Sequence, residues 1–190
     1  MANERAPGAP DGTDPDVSSG DGDSSGVDWL DDEEMAAWRS MIEVHTAVMA
    51  SLETESVERH GLSGGDYAVL VNLSEAPDHR VRMCDLALAL HLSPSGITRR
   101  LDGLVRQGLV AREPSTEDRR VMLAVLTPAG RTALEAAAPD HVDSVRRHFL
   151  DHLTRTQIRN LAAAFGAVER GRERQAAAAA AESREAETAA

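Results

Sequence analysis

Lysine is absent from this chain of 190 residues, so all 20 basic side chains are arginines. Every cationic contact is therefore made by a planar guanidinium, which suits two-pronged recognition of phosphate or guanine. A single cysteine, Cys84, excludes an internal disulfide and fits a reducing compartment. With five aromatic side chains, the core must be filled by aliphatic residues and alanine. No apolar run approaches the roughly 18 residues of a membrane span, and the N-terminus lacks the basic and apolar regions of a signal peptide. The expected setting is cytoplasmic, with no membrane partner. No G-x-S-x-G, phosphate loop or histidine–carboxylate pair stands at motif spacing, which argues against an enzyme, and no cofactor is expected.

Hydrophobic residues make up 42% of the chain, rich in helix-favouring alanine and leucine. The formal net charge of −12 is unevenly spread. Residues 1–34 carry eleven acids against Arg5, whereas residues 80–120 carry eight arginines against five acids, a net of +3. Phosphate binding responds to the local field, so the acidic total is no obstacle. Residues 1–30, rich in Gly, Pro, Ser and Asp, read as a disordered acidic arm. Residues 172–190 form an Ala/Glu-rich tail without a packing face.

Between them the periodicity predicts six helices and a small β wing. Asp31 caps a first helix to about Arg59, with Trp38, Ile42, His45, Met49 and Leu52 as one buried stripe. Ser63 with Asp66 opens a second helix, which Ala76-Pro77 stops. Val81-Arg82 is a short strand, and Met83–His91 a third helix. Ser93 caps the fourth helix, with Pro94 at its first position and Gly108 at its end. Leu109–Arg112 and Val121–Leu126 are the wing strands. Thr127-Pro128 opens a fifth helix that Pro139 must kink or interrupt. Thr154 with Gln157 opens a sixth, striped by Ile158, Leu161, Phe165 and Val168. The first, fifth and sixth helices carry more apolar face than a small wing domain covers, which points to a helical dimer. The fold class is thus mainly α: a winged helix-turn-helix over about 80–127, with dimerisation helices over about 31–60 and 128–171.

In the fourth helix Ile97, Leu101, Leu104 and Val105 recur at core spacing. That leaves Ser93, Ser95, Gly96, Thr98, Arg99 and Arg100 on or near the outward N-terminal surface. A recognition helix presents such first turns to base edges. In the wing loop, Asp118, Arg119 and Arg120 place arginine where it can enter a narrow minor groove, with Asp118 holding a neighbouring arginine. The competing reading makes these arginines solvated surface charges of a winged-helix interaction module that does not bind DNA.

The ordered pieces Asp85-Leu86-Ala87, Ser93–Arg99, Leu104, Gly108–Arg112, Asp118–Arg120 and Leu126–Gly130 carry a resemblance. Residues 31–170 resemble the MarR family of bacterial transcriptional regulators, dimeric winged-helix proteins. The resemblance implies a homodimeric repressor on a pseudo-palindrome of double-stranded DNA. Recognition helices would occupy successive major grooves and wing arginines, Arg120 first, the flanking minor grooves. Val121 departs from the small residue that many relatives carry there.

The resemblance also implies release of DNA on binding a small, often phenolic or anionic effector. Trp38, His45, Met49, Tyr67 and Leu70 are candidates for lining its cleft, against the alternative that they are core residues. Metal- or redox-responsive regulation on the same fold stays open. His148 and His152, spaced i,i+4 on the fifth helix with His141 nearby, are the metal candidates, although no third ligand is fixed. Cys84, in the first turn of the third helix, is the redox candidate; relatives that sense oxidants usually carry their cysteine near the first helix, where this chain has none.

Overall fold

The computed structural model describes residues 27–188. Most of the acidic arm read from the sequence, and the last two residues, lie outside the described residues. The chain divides within its first helix, α1 (Asp32–His60): Met1–Trp38 is one unit and Arg39–Ala190 the other. In the first unit the Asp31 backbone N–H donates to Glu34, and the Glu34 N–H returns a bond to the Asp31 carboxylate. This reciprocal cap, with acids in the first turn, complements the helix dipole. At the other end Gly61 takes a left-handed φ of 64° and stops α1.

In the second unit the core is built from α2 (Gly64–Glu75), α3 (Met83–Ala89), α4 (Pro94–Arg106) and the first half of α5 (Pro128–His148), set on a small sheet. Val69, Leu70 and Leu73 of α2 meet Leu86, Ile97, Leu101 and Leu104, all fully or almost fully buried. The sheet is antiparallel in the order β1 (Arg80–Arg82), β3 (Met122–Leu126), β2 (Val110–Pro114), with Val81 and Arg112 both opposite Ala124. Its inward residues Val110, Ala124 and Leu126 close the core from below α4.

Side-chain caps set the helix starts. The Asp66 N–H donates to Ser63 Oγ at 3.1 Å, Gly96 N–H to Ser93 Oγ at 3.1 Å and Gly130 N–H to Thr127 Oγ1 at 3.0 Å. Thr154 and Gln157 exchange bonds ahead of α6 (Arg155–Thr188). That helix continues through the Ala/Glu-rich stretch.

Several expectations are corrected. The α1 stripe is not buried: no residue of α1 is, and Ile42 and Met49 are 45% and 47% exposed because the described residues supply no cover for them. Val105 is exposed rather than packed inward. Pro139 neither stops nor splits α5. Pro139 and Glu135, whose carbonyl loses its donor, are both exposed, so that carbonyl can bond water instead. His152 does not belong to α5, which ends at His148; the chain turns at Phe149 into a 3₁₀ turn, Leu150–His152.

Candidate nucleic-acid interface

The first turns of α4 present the expected surface. Ser93, Ser95, Thr98 and Arg99 are exposed, and Gly96 is half-buried. Their polar atoms are partly committed to the helix: Ser93 Oγ caps Gly96 and pairs with Ser95 Oγ at 3.1 Å, while the Thr98 hydroxyl donates to the Pro94 carbonyl at 2.8 Å. A Cβ at Gly96 would stand 3.1 Å from Ser93 Oγ, so the small residue serves the cap as well as the surface.

Arg100 departs from its expected outward position. Its guanidinium turns to α2, 3.3 Å from the Asp66 carboxylate and 3.2 Å from Ser63 Oγ. A Cβ at Gly65 would fall inside that guanidinium, so the bare glycine makes room for it. The opposite charge of Asp66 draws Arg100 in, and Arg100 thereby fastens α4 to α2.

In the wing, Asp118 holds backbone rather than an arginine side chain. Its carboxylate accepts from the Arg120 N–H at 3.0 Å and its carbonyl from the Val121 N–H at 2.9 Å. This tight turn closes with the Ser115 N–H on the Val121 carbonyl at 2.8 Å. Arg119 and Arg120 are exposed, and neither guanidinium, nor that of Arg99, pairs with a carboxylate among the described residues. Arg112, assigned no role from sequence, links wing and helix: its guanidinium reaches the Asp102 carboxylate at 2.6 Å and the Thr98 carbonyl at 2.8 Å. The signal available in the sequence was an opposite charge ten residues away, which local spacing rules on a helix do not cover.

The residues expected to line an effector cleft differ in exposure. Trp38, in the first unit, is exposed; in the second, His45 and Met49 are exposed, and Leu70 is fully buried core. Tyr67 stacks on His141 with ring centroids 4.3 Å apart. A shallow, solvent-open cleft with room for little more than a water molecule lies between α1 and α5, lined by residues that include Glu55, His60, Asp140 and His141. His148 donates from Nε2 to the Glu55 carboxylate at 2.8 Å, and no group of three or more metal-ligating side chains occurs among the described residues. The Cys84 thiol is exposed and reaches Asp85 Oδ1 at 3.5 Å.

This α1–α5 seam is a site that sequence reading missed, since its partners are some 80 to 90 residues apart. Glu55 accepts from the Ser144 hydroxyl, pairs with His148 and with Arg147 at 2.6 Å, and its pKa is lowered to about 2, chiefly by the Ser144 and His148 hydrogen bonds. Asp140 is likewise held below the usual carboxylate range, first by its hydrogen bond to His60 at 2.9 Å. Burial lowers the His141 pKa. All three groups bind protons less readily folded than unfolded, so unfolding takes up protons and acid destabilises the fold. For Glu55 the stabilisation is full above the ordinary carboxylate pKa and is lost as pH falls toward 2. Thermal midpoints measured from about pH 5 to about pH 3 should fall for the parent. Glu55→Gln should start lower and fall less; parallel acid curves would remove Glu55 from this account.

Comparison with known proteins decides the lineage. The model of the MarR family matches residues 62–122, from the start of α2 to the wing. AbsC of Streptomyces coelicolor, a MarR family transcriptional regulator, superposes with a TM-score of 0.72 at 38% identity over 77% of this chain and 99% of that one. The chain belongs to the MarR family. A second MarR family regulator, Sco3205 of the same organism, solved in complex with DNA, gives a TM-score of 0.73 at 34% identity over 77% of this chain and 92% of that one. The HTH-type transcriptional repressor YetL of Bacillus subtilis (strain 168) is 39% identical over 85 residues, 45% of this chain. That alignment spans about half of YetL, 51% of its length. Among the described residues of this MarR family regulator, no helix is long and apolar enough to cross a membrane.

Proposed function

We propose that this MarR family chain is a homodimeric repressor that binds a pseudo-palindromic DNA duplex in the cytoplasm and releases it on binding a small phenolic or anionic effector. The observation that carries the DNA-binding reading is the set of exposed arginines, Arg99 on α4 and Arg119 and Arg120 on the wing, without carboxylate partners among the described residues. An arginine kept for fold stability would be paired within the chain, as Arg100 and Arg112 are. Ser95, Thr98 and Arg99 are the proposed base-edge and phosphate contacts of α4, with Ser93 and Gly96 forming its cap. Arg119 and Arg120 are the proposed minor-groove contacts, set by the turn that Asp118 holds.

The dimer is supported by the uncovered apolar residues Ile42 and Met49 of α1 and Phe165 and Val168 of α6. Effector relief follows the family resemblance.

Selection of duplexes from a random pool, followed by gel-shift titration at two salt concentrations, tests this reading. The expected result is one recovered sequence with two-fold symmetry, bound by two chains and weakening steeply with salt. If no sequence is enriched and binding stays weak at low salt, the chain is an interaction module instead.

A further inference from the structure

Arg112 is neither exposed like the unpaired arginines nor packed for its stem alone. It rises from β2 opposite Ala124, and its planar head meets two acceptors on α4 that lie one helical turn apart, the Asp102 carboxylate at 2.6 Å and the Thr98 carbonyl at 2.8 Å. Two parallel bonds from one rigid fork fix both the separation and the rotation of the joined elements, whereas a single bond leaves a pivot. The third donor, Nε, is sealed from solvent without a partner. The orientation of the head is thus dictated by the two helix acceptors, at the expense of that N–H. Thr98 lies beside Arg99 on the outward turn of α4, and β2 leads directly into the loop that carries Arg119 and Arg120.

We propose that Arg112 is a positioning residue for DNA recognition. It locks the wing to the recognition helix so that Arg99 and Arg120 are presented at a set spacing before DNA arrives, and it does not itself touch DNA. This rests on the DNA-binding reading above. Contacts in two grooves are made together only when their spacing matches the duplex, so a prearranged spacing favours the specific complex. Non-specific association with the backbone does not need that register. Loosening the link therefore lowers the ratio of specific to non-specific affinity.

The test uses the full chain and Arg112→Lys, which keeps the charge but cannot span both acceptors, beside Asp102→Asn, which keeps size and removes the charge. Binding is measured to the selected duplex and to a shuffled duplex of the same length. Both variants should lose about tenfold or more on the selected duplex, with shuffled-duplex affinity, salt slope and thermal midpoint nearly unchanged. In a Cys84→Ser background, spin labels introduced by Gln107→Cys and Thr116→Cys should show a distance distribution that widens when Arg112→Lys is added. Parent-like specificity with an unchanged distance distribution overturns the proposal. So does an equal loss on both duplexes with a salt slope reduced by about one per chain, which would make Arg112 a phosphate contact. If the parent itself does not discriminate between duplexes, the DNA-binding reading fails. The spin-label distances then still decide the link: widening retains it, and no change overturns it.

Discussion

Gly130→Ala should lower the thermal midpoint by roughly 5–10 °C. The added Cβ would collide with the Leu109 carbonyl oxygen and stand 2.8 Å from Leu126 Cδ1 and 3.0 Å from the Leu109 carbonyl carbon. Two of these three atoms are backbone, so no rotamer change relieves the clash. Leu109 is anchored from the same side: the Thr127 N–H donates to its carbonyl at 3.2 Å, and the Thr127 hydroxyl, which caps Gly130, donates to the Gly108 carbonyl at 2.7 Å. Making room means lifting the start of α5 off the base of β2, which strains these bonds together. Overpacking of this kind costs about 2–3 kcal/mol, and in a chain of this size each kcal/mol shifts the midpoint by about 2–4 °C. Gly103→Ala is the natural control, since nothing lies within 4 Å of its added Cβ and alanine favours the helix by about 1 kcal/mol. Differential scanning calorimetry of both variants settles the matter. A Gly130→Ala midpoint within a degree of the parent's would show that the helix start shifts freely.

Arg120→Ala should weaken DNA binding about a hundredfold in a dimer, across sequences, because each of two copies loses one wing cation. The slope of log affinity against log salt should shrink by about two, close to one for each lost contact. Removing Arg120 leaves the turn intact, since Asp118 holds the backbone N–H and not the guanidinium. Loss of affinity therefore reports the contact, not a collapsed wing. Arg99→Ala is expected to differ in kind, relaxing sequence preference at defined positions of the duplex. Salt titrations of both variants on the selected and shuffled duplexes check the pair, and identical slopes for parent and Arg120→Ala would remove this arginine from the interface.

What the sequence made legible was local chemistry. The starts of α2, α4, α5 and α6 are set by a capping side chain and backbone groups no more than three residues away, so Ser63, Ser93, Thr127 and Thr154 announce them. The end of α1 has a local cause as well, a glycine at position 61 where the backbone turns left-handed. Contacts between distant segments were not legible. Helical spacing placed Arg100 near the outward surface, but the direction of its head depends on Asp66, 34 residues upstream. Nothing near Glu55 in sequence marks it out, because its partners Ser144, Arg147 and His148 all come from α5. Apolar periodicity in α1 marked a stripe at helical spacing, but periodicity alone cannot say whether the same chain covers it, and here the stripe stands exposed. The His148–His152 spacing failed for a backbone reason: Phe149, with φ −139° and ψ −66°, ends the helix that the spacing assumed.

The guanidinium of Arg100 lying over Gly65 makes these two positions one variable, not two. While position 100 carries arginine, a side chain at position 65 must push the guanidinium away from Asp66 and Ser63. With a short residue at 100 that space opens, and Gly65 is released from the steric demand. Substitution effects at the two sites are therefore non-additive, and tolerance at position 65 is written 35 residues further along the chain.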